Sequence, residues 1–483
     1  MVLSGLEPQK VFEFFEILSS VPHGSGNTKA VSDLCVEFAK KRNLEYYQDD
    51  TNNVIIIKEA TKGYENSEPI ILQGHLDMVC AKDPSDPMDM AKEPIKLIVD
   101  GDWIHADGTS LGGDDMIAVA MALAAIDSDT LEHPRIEAVF TVDEETGMDG
   151  AFAIDLSPIK GRRMLNLDSE EEGVLTCGCA GGARVDCDIP VSRDPLGDGL
   201  FTRFSLMISG LKGGHSGCEI EKGRGNSNKL LARFIHTALK SFDVRLVEMA
   251  GGKFDNVITL ESTAIVALPN SEAAAFAKFA EEFDKILKNE YSAADPGVSL
   301  TCAPSDSTAP SVTYTDTKRI IRALVMMPQG VQEMSMDIPG LVQTSLNMGI
   351  VKLESDNLHF SFSVRSSILT QKEMLIDRVL AVLEASGGHA NVHGSYPGWQ
   401  FAKVSPIRDI VSEVMEEVFG KKAEITATHG GLECGLFMEK LPGLDCVSFG
   451  PDLRDIHSVS ERMNIPSVER MWRCVCEILR RAK

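Results

Sequence analysis

The chain has no Cys-x-x-Cys pair, no apolar run of about 18 residues and no excess of basic side chains. Each absence excludes something. The cysteines number 11, an odd count without paired spacing, so a disulfide framework is not expected. Cys177-Gly178-Cys179 and Cys474-Val475-Cys476 could ligate a metal, but they read more simply as buried structural thiols. Without a long apolar run, no segment is expected to span a bilayer. The start, Met1-Val2-Leu3-Ser4-Gly5-Leu6-Glu7-Pro8, lacks the basic region and apolar stretch of a secretory signal, so the cytosol is the expected compartment. Against 47 basic residues stand 72 acidic ones, a net charge of −25. Phosphates would be repelled, which removes nucleic acid and anionic membrane from the expected partners. Cation binding is compatible with that charge, although most of the acids are solvated surface.

At 483 residues the chain is too long for one typical core, and two or more domains are expected. Val11 to Leu18 and Lys29 to Lys41 read as helices separated by the turn Pro22-His23-Gly24-Ser25-Gly26. Asn53 to Lys58, Pro69 to Gln73, Ile136 to Val142 and Met164 to Leu167 are short aliphatic runs of the buried-strand kind. Met116 to Ile126 is apolar on nearly every side and reads as a buried helix. Strands alternating with helices predict an α/β fold, a mostly parallel sheet covered on both faces.

The middle of the chain changes character. Strands at Phe204 to Ser209, Val244 to Met249 and Val257 to Leu268 are interleaved with helices at Ser227 to Ser241 and Glu272 to Glu290. A similar order then returns. A helix near Thr317 to Met326 is followed by strands Thr344 to Leu353 and Leu358 to Ser366, joined by the turn Ser355-Asp356-Asn357 as a hairpin, and by a helix from Gln371 to Ala385. After Pro397-Gly398 the α/β pattern resumes, with a helix from Arg408 to Phe419, a strand from Cys446 to Phe449 and a last helix. Residues 1–183 and 398–483 are therefore expected to form one discontinuous domain, and 184–397 an inserted α+β domain.

The chemistry is carried by acids and histidines placed where apolar runs break into loops. His75-Leu76-Asp77 puts an imidazole and a carboxylate on the same side of an extended segment. One can bind metal while the other fixes its second nitrogen; a structural histidine is the plainer alternative. Asp114, after Gly112-Gly113, can cap the buried helix or bridge two cations through its two oxygens. Adjacent Glu144 and Glu145 point in different directions, so one can bind metal and the other hold the proton of an attacking water; an exposed acidic loop would look the same. Asp168 closes a strand, and His457 lies in a downstream loop. Singly these readings are weak. Jointly, the ligand types suit two divalent cations at the carboxyl ends of strands, where open α/β sheets bind ligands. Two such ions can activate water against an amide at neutral pH.

The strings GHLDMV, LGGDDMIAVAMA, VDEETGMDGA, LNLDSEEEG, GCAGG, LKGGHSG, GNSNKLLARF, GGLECGLF and DIHSVSERM resemble the aminoacyl-histidine dipeptidase branch of the zinc-peptidase superfamily, which includes carnosinase, peptidase T and acetylornithine deacetylase. The resemblance runs from about Leu6 to the C-terminus in family order. It implies a catalytic α/β domain with an inserted α+β lid and a cytosolic metallopeptidase cleaving unblocked dipeptides, including those ending in histidine. It implies that His75 and Asp168 bind one metal, Glu145 and His457 the other, and Asp114 both, with zinc the expected ion and manganese or cobalt possible. Glu144 would be the general base and Asp77 would orient His75. The bond Asp114-Asp115 is expected to be cis. His215 would approach the scissile carbonyl oxygen, Arg365 would grip the substrate carboxylate, and Gly431 and Asn256 would contact substrate. A homodimer is also implied. Where the family follows that asparagine with an Ala-Ile-Pro-Arg-Glu-like string, this chain has Val257-Ile258-Thr259-Leu260-Glu261, which puts the lid contacts in question. The same metals would serve a deacylase acting on acylated amino acids. A non-catalytic metal-binding scaffold would have lost a ligand or the base, yet all are present.

Overall fold

A computed structural model of the chain describes residues 2–197 and 199–483. These divide into two compact units. The first comprises the chain up to Gly178, Trp399–Ala427 and Leu432–Lys483; the second comprises Cys179–Gly398 and Thr428–Gly431. The short segment Thr428–Gly431 thus separates from the C-terminal stretch around it. Its backbone is the reason: the Ala180 N–H is shared between the carbonyls of Thr428 and Gly430, at 3.1 and 3.0 Å.

The first unit is built on a mixed eight-stranded sheet. Its centre is parallel. Ile70–His75 pairs in parallel with Ile136–Thr141 on one side and Arg163–Asn166 on the other, and Asp445–Ser448 extends this set in parallel beside Arg163–Asn166. Antiparallel strands flank it, Val54–Lys58 on Ile136–Thr141 and Glu45–Gln48 beyond. Every residue of Ile70–His75 and of Ile136–Thr141 is buried, as a sheet covered on both faces requires. One cover is the helix Gly113–Asp127, buried from Gly113 to Ile126, which packs against the helix Gln9–Ser19. The central parallel strands, in spatial order, come from widely separated parts of the sequence, and their carboxyl ends open into the loops that carry Glu144, His75, Asp168 and, further on, His457.

A small four-stranded sheet places the last of these. Leu453–Arg454 and Arg462–Asn464 form a hairpin, and Arg462–Asn464 pairs with Trp103–Ala106 in the register Arg462 with His105, Met463 with Ile104 and Asn464 with Trp103. His457 lies in the loop of that hairpin. The strand it is anchored to, Trp103–Ala106, leads directly into the segment that carries Asp114.

The second unit has a nine-stranded sheet whose described pairings are all antiparallel, with the helices Ser227–Ala238, Ala273–Glu290, Tyr314–Met326 and Leu369–Ala385. Phe234, Phe276 and Phe283 meet edge-on in its core, with ring centroids 5.3–5.8 Å apart. The expected hairpin is present as Val342–Leu353 against Asn357–Ser366. One expected strand is shorter than its apolar run: it covers Ser262–Pro269, not Val257 to Leu268. Residues 257–261 are drawn into loop contacts instead. Ile258 N–H donates to Gly214 O, Ser227 N–H to Thr259 O, and the Thr259 hydroxyl to Gly349 O at 2.9 Å.

Candidate metal centre

The first unit gathers His75, Asp77, Asp114, Glu144, Glu145, Asp168 and His457. Asp114 lies at the middle. Its Oδ1 is 3.2 Å from His75 Nε2 and its Oδ2 is 3.1 Å from His457 Nε2. His75 Nε2 is also 3.6 Å from Asp168 Oδ1, and His457 Nε2 is 2.9 Å from Glu145 Oε1. Two ligands at about 2.0–2.2 Å from a tetrahedral zinc stand roughly 3.3–3.6 Å apart; the His75–Asp168 separation falls in that range, and the other three, at 2.9–3.2 Å, are hydrogen-bond distances that would open by a few tenths of an ångström around a cation. Glu145 Oε1 supplies a second test. It is buried and makes no hydrogen bond among the described residues, although His457 Nε2 lies so close. The imidazolium of His457 sits between the Asp114 and Glu145 carboxylates, where a cation would replace its charge. His75, Asp114 and Glu145 form one group able to hold an ion, and His75, Asp115 and Asp168 a second, each with its ligand atoms within 4.8 Å of one another.

Electrostatics agrees. Burial opposes a charged His75, yet the carboxylates of Asp168 and Asp114 outweigh it and hold the imidazole well above its ordinary pKa. Asp114 and Glu145 push His457 up to about 10. Burial raises Asp168 to about 6. Burial, with the neighbouring Asp168, Glu433 and Glu145, also raises the Glu144 carboxyl well above the usual range. Anionic oxygens crowded around two imidazoles are a site that gains from divalent charge.

Asp77 is fully buried and does more than face His75. His75 Nδ1 sits 3.0 Å from the Asp77 main-chain oxygen and 3.4 Å from its carboxylate, which leaves Nε2 as the ligating atom. The carboxylate accepts from the Ser25 hydroxyl at 2.8 Å, Glu144 N–H at 3.0 Å and Glu145 N–H at 3.3 Å. It therefore ties the His75 strand to the backbone of the adjacent glutamates. Burial works against its charge, and His75, Ser25 and the Glu144 amide outweigh that, so its pKa stays below the ordinary value.

The backbone around the site is unusual. The Asp114-Asp115 bond is cis, as expected from the resemblance. Of the non-glycine residues with positive φ, Asp143 (56°), Met148 (63°), Asp455 (54°) and His457 (59°) all flank or belong to the site. Such conformations persist where surrounding structure over-determines them, which is typical of functional sites.

The second unit carries His215, Arg365, Asn256 and Gly431, and it brings the first three together. His215 Nδ1 accepts from Gly217 N–H at 3.3 Å and Cys218 N–H at 3.2 Å, which leaves Nε2–H as a donor. Burial, then Arg365, lowers the His215 pKa and keeps the ring neutral. Arg365 Nη1 donates to Tyr396 Oη at 3.2 Å, while its buried Nε has no hydrogen-bond partner among the described residues. A Cβ at Gly217 would lie 2.9 Å from the His215 ring and 3.2 Å from the Arg365 guanidinium carbon, so glycine is needed there. Asn256 O accepts from Ser216 N–H at 2.8 Å, holding the two loops together.

Sequence reasoning passed over several residues. Asp115 accepts from His75 N–H at 3.2 Å. Glu433, fully buried, accepts from Thr141 and Gln73, both at 2.6 Å, and burial pushes its carboxyl up to about 8. His429 pairs with Ser345 Oγ at 2.7 Å, and burial lowers it to about 3. Each lies inside or beside a recognised string, but its partners are distant in sequence.

A parallel-centred α/β sheet with imidazole and carboxylate donors at its carboxyl ends is the architecture of a metal-dependent hydrolase. Residues 71–481 match the family described as peptidase family M20/M25/M40, and the chain belongs to that family. It is 36% identical over 480 residues, covering 99% of this chain and 98% of the relative, to a cytosol non-specific dipeptidase of Escherichia coli (strain K12). Its structure is similar to the crystal structure of aminoacylhistidine dipeptidase from Vibrio alginolyticus, with TM-score 0.95 and 36% identity over 99% of this chain and 98% of that one. A more distant likeness, TM-score 0.57 at 17% identity, covering 99% of each chain, links its fold to aminopeptidase PepT from Bacillus cereus.

Proposed function

We propose that this chain is a dipeptidase that hydrolyses the peptide bond of unblocked dipeptides, including those ending in histidine, with two divalent cations. The observation that carries the reading is Asp114, whose two oxygens each face a different imidazole at 3.2 and 3.1 Å. His75 and Asp168 would hold one cation, Glu145 and His457 the other, and Asp114 both. Zinc is the proposed ion, and manganese or cobalt also suits nitrogen and oxygen donors. Cations held there supply Lewis acidity to the scissile carbonyl and to the attacking water.

The chain's own residues do the rest. Glu144 takes a proton from the attacking water and delivers it to the departing amine nitrogen. Asp77 holds Glu144 and Glu145 in place through their amides. His215 donates from Nε2–H to the oxyanion as it forms, a contribution of about 3–4 kcal/mol in comparable sites. Arg365 binds the substrate carboxylate with its planar fork, and Asn256 and Gly431 contact the substrate. In this reading the inserted unit acts as the lid and dimerisation domain. Phe254 (64% exposed) beside the segment that departs from the family pattern, and Leu260 (43%) within it, offer apolar surface for a homodimer. The cytosol is the proposed compartment, as the name of the E. coli relative has it.

The test is histidine release from a panel of Xaa-His dipeptides by metal-stripped protein and by protein re-supplied with zinc or manganese. Activity should return with metal, and Glu144→Gln should lower kcat by about 10²–10⁴ while still binding the ions. Hydrolysis of acylated amino acids with none of dipeptides would overturn the substrate assignment.

A further inference from the structure

Glu461 lies outside the ligand set, yet its carboxylate is the structural knot of the site. It is 2% exposed and accepts from consecutive backbone amides: Oε2 from Leu111 at 2.8 Å and Gly112 at 3.1 Å, and Oε1 from Gly113 at 2.8 Å and, more weakly, Asp114 at 3.5 Å. Convergent amides of this kind form an anion-binding nest. Here the anion is a side chain of the chain itself. Gly112 takes a left-handed φ of 69°, which turns its amide inward, and a Cβ on Gly113 would sit 3.3 Å from Glu461 Oε1. The two glycines before Asp114 are therefore what lets the carboxylate in.

Glu461 also closes the loop that carries His457. Its own amide donates to Ser458 O at 3.2 Å, and the Ser458 hydroxyl donates to Asp455 O at 2.6 Å, bracing a turn in which Asp455 and His457 are both left-handed. One residue thus grips the Asp114 turn with its side chain and the His457 turn with its backbone. The contact it spans is His457 Nε2 to Asp114 Oδ2. His75 and Asp168, by contrast, are placed by neighbouring strands of the main sheet.

We infer that Glu461 is a positioning residue that sets the separation of His457 from Asp114 and so controls occupancy of the His457-side cation position in preference to the His75-side position. This rests on the two-cation reading of the site. Glu461→Gln keeps the volume but offers one acceptor oxygen to amides that occupy two. Supporting partners of metal ligands typically change affinity by about 10–100-fold. One of two manganese binding steps should therefore fall by that factor in Glu461→Gln, with the other step changed less than threefold.

The experiment titrates metal-stripped full-length protein with manganese alone in a calorimeter, alongside melting curves of the metal-free proteins and kcat and KM at saturating manganese. Wild type, Glu461→Gln, Glu461→Asp and Asp114→Asn are compared. The expected result is selective loss of one binding step, lower kcat with little change in KM, and partial recovery in Glu461→Asp. Two steps of wild-type affinity in Glu461→Gln would overturn the inference. So would equal weakening of both steps with a matching drop in metal-free melting temperature, which would make Glu461 merely structural. If Glu461→Gln does not fold, Glu461→Asp is read by the same criteria. Asp114→Asn separates the two levels: two unaltered binding steps in that variant would refute the site itself, and Glu461 with it.

Discussion

Asp77→Asn tests how the site is held together. Every polar neighbour of this buried carboxylate is a donor: Ser25 Oγ at 2.8 Å, Glu144 N–H at 3.0 Å and Glu145 N–H at 3.3 Å, with His75 Nδ1 at 3.4 Å. Asparagine offers a single oxygen. Placed on the side of Ser25 and Glu145, that oxygen keeps two donors satisfied and turns the amide NH2 toward Glu144 N–H. At least one buried N–H then loses its acceptor, which costs about 1–3 kcal/mol. At a middle value of about 2 kcal/mol, a unit of this size should melt roughly 4–8 °C lower. Activity should suffer more than stability. Glu144 is anchored through its amide to Asp77 Oδ1, and a displacement of about 1 Å at a reacting group can cost around 10²-fold in rate. The assay is calorimetric melting of the metal-free protein together with kcat on a Xaa-His dipeptide across a manganese titration. The loss in kcat should persist at saturating metal, and Ser25→Ala, which removes one donor and leaves the carboxylate intact, should be milder in both measurements. Asp77→Asn with an unchanged melting temperature and full kcat at saturating manganese would refute the anchoring role.

Two further outcomes follow from the geometry. Gly74→Ala would place a Cβ 2.6 Å from Asp115 Oδ2 and 2.8 Å from Ala118 Cβ. It should destabilise the protein by about 1–3 kcal/mol and weaken metal binding by pushing Asp115 off the His75 amide, both readable by denaturant melts and calorimetry. Glu219 accepts from His215 N–H at 3.0 Å, and Lys222, then that amide, hold its carboxyl down from 4.5 to about 2. A depressed carboxylate stabilises above its unfolded pKa and loses that contribution as pH falls through the folded one. Hydrogen-exchange protection of the His215 amide should therefore decline between pH 4.5 and about 2, and Glu219→Gln at neutral pH should reproduce the loss. Protection independent of pH in that window would count against the contact.

Much of the fold is legible because its determinants are local. Short apolar runs such as Ile70–His75 and the wholly apolar stretch within Gly113–Asp127 announce a sheet buried on both faces and the helix that covers it. Parallel pairing aligns the strand ends that carry His75, Glu144, Glu145 and Asp168, whereas Asp114 opens a helix and His457 is brought in by an antiparallel hairpin that the sequence does not announce. What stayed hidden depends on backbone amides far away. Nothing in Ser-Val-Ser-Glu461 indicates that its carboxylate belongs to residues 111–114, because amides carry no sequence signature. Ser25 is legible as part of a turn, but not as a donor to Asp77, 52 positions on. The run Val257 to Leu268 misleads because apolarity alone cannot tell a strand from a loop whose amides pair with Gly214.

The separation of Asp114 from His457, 343 positions along the chain, has a consequence for biosynthesis. At ordinary elongation rates roughly 20–70 s pass between the synthesis of these two residues. Through that interval the nascent chain carries Asp114 and Glu145 without His457 and without the strand Asp445–Ser448 that extends the parallel set. The sheet strands of the inserted unit, from Gly181 to Tyr396, are all made before then. In the two-cation reading, completion of the His457-side position is thus placed among the last events of maturation, and a chain that ends before His457 carries most of the donors and lacks a complete site.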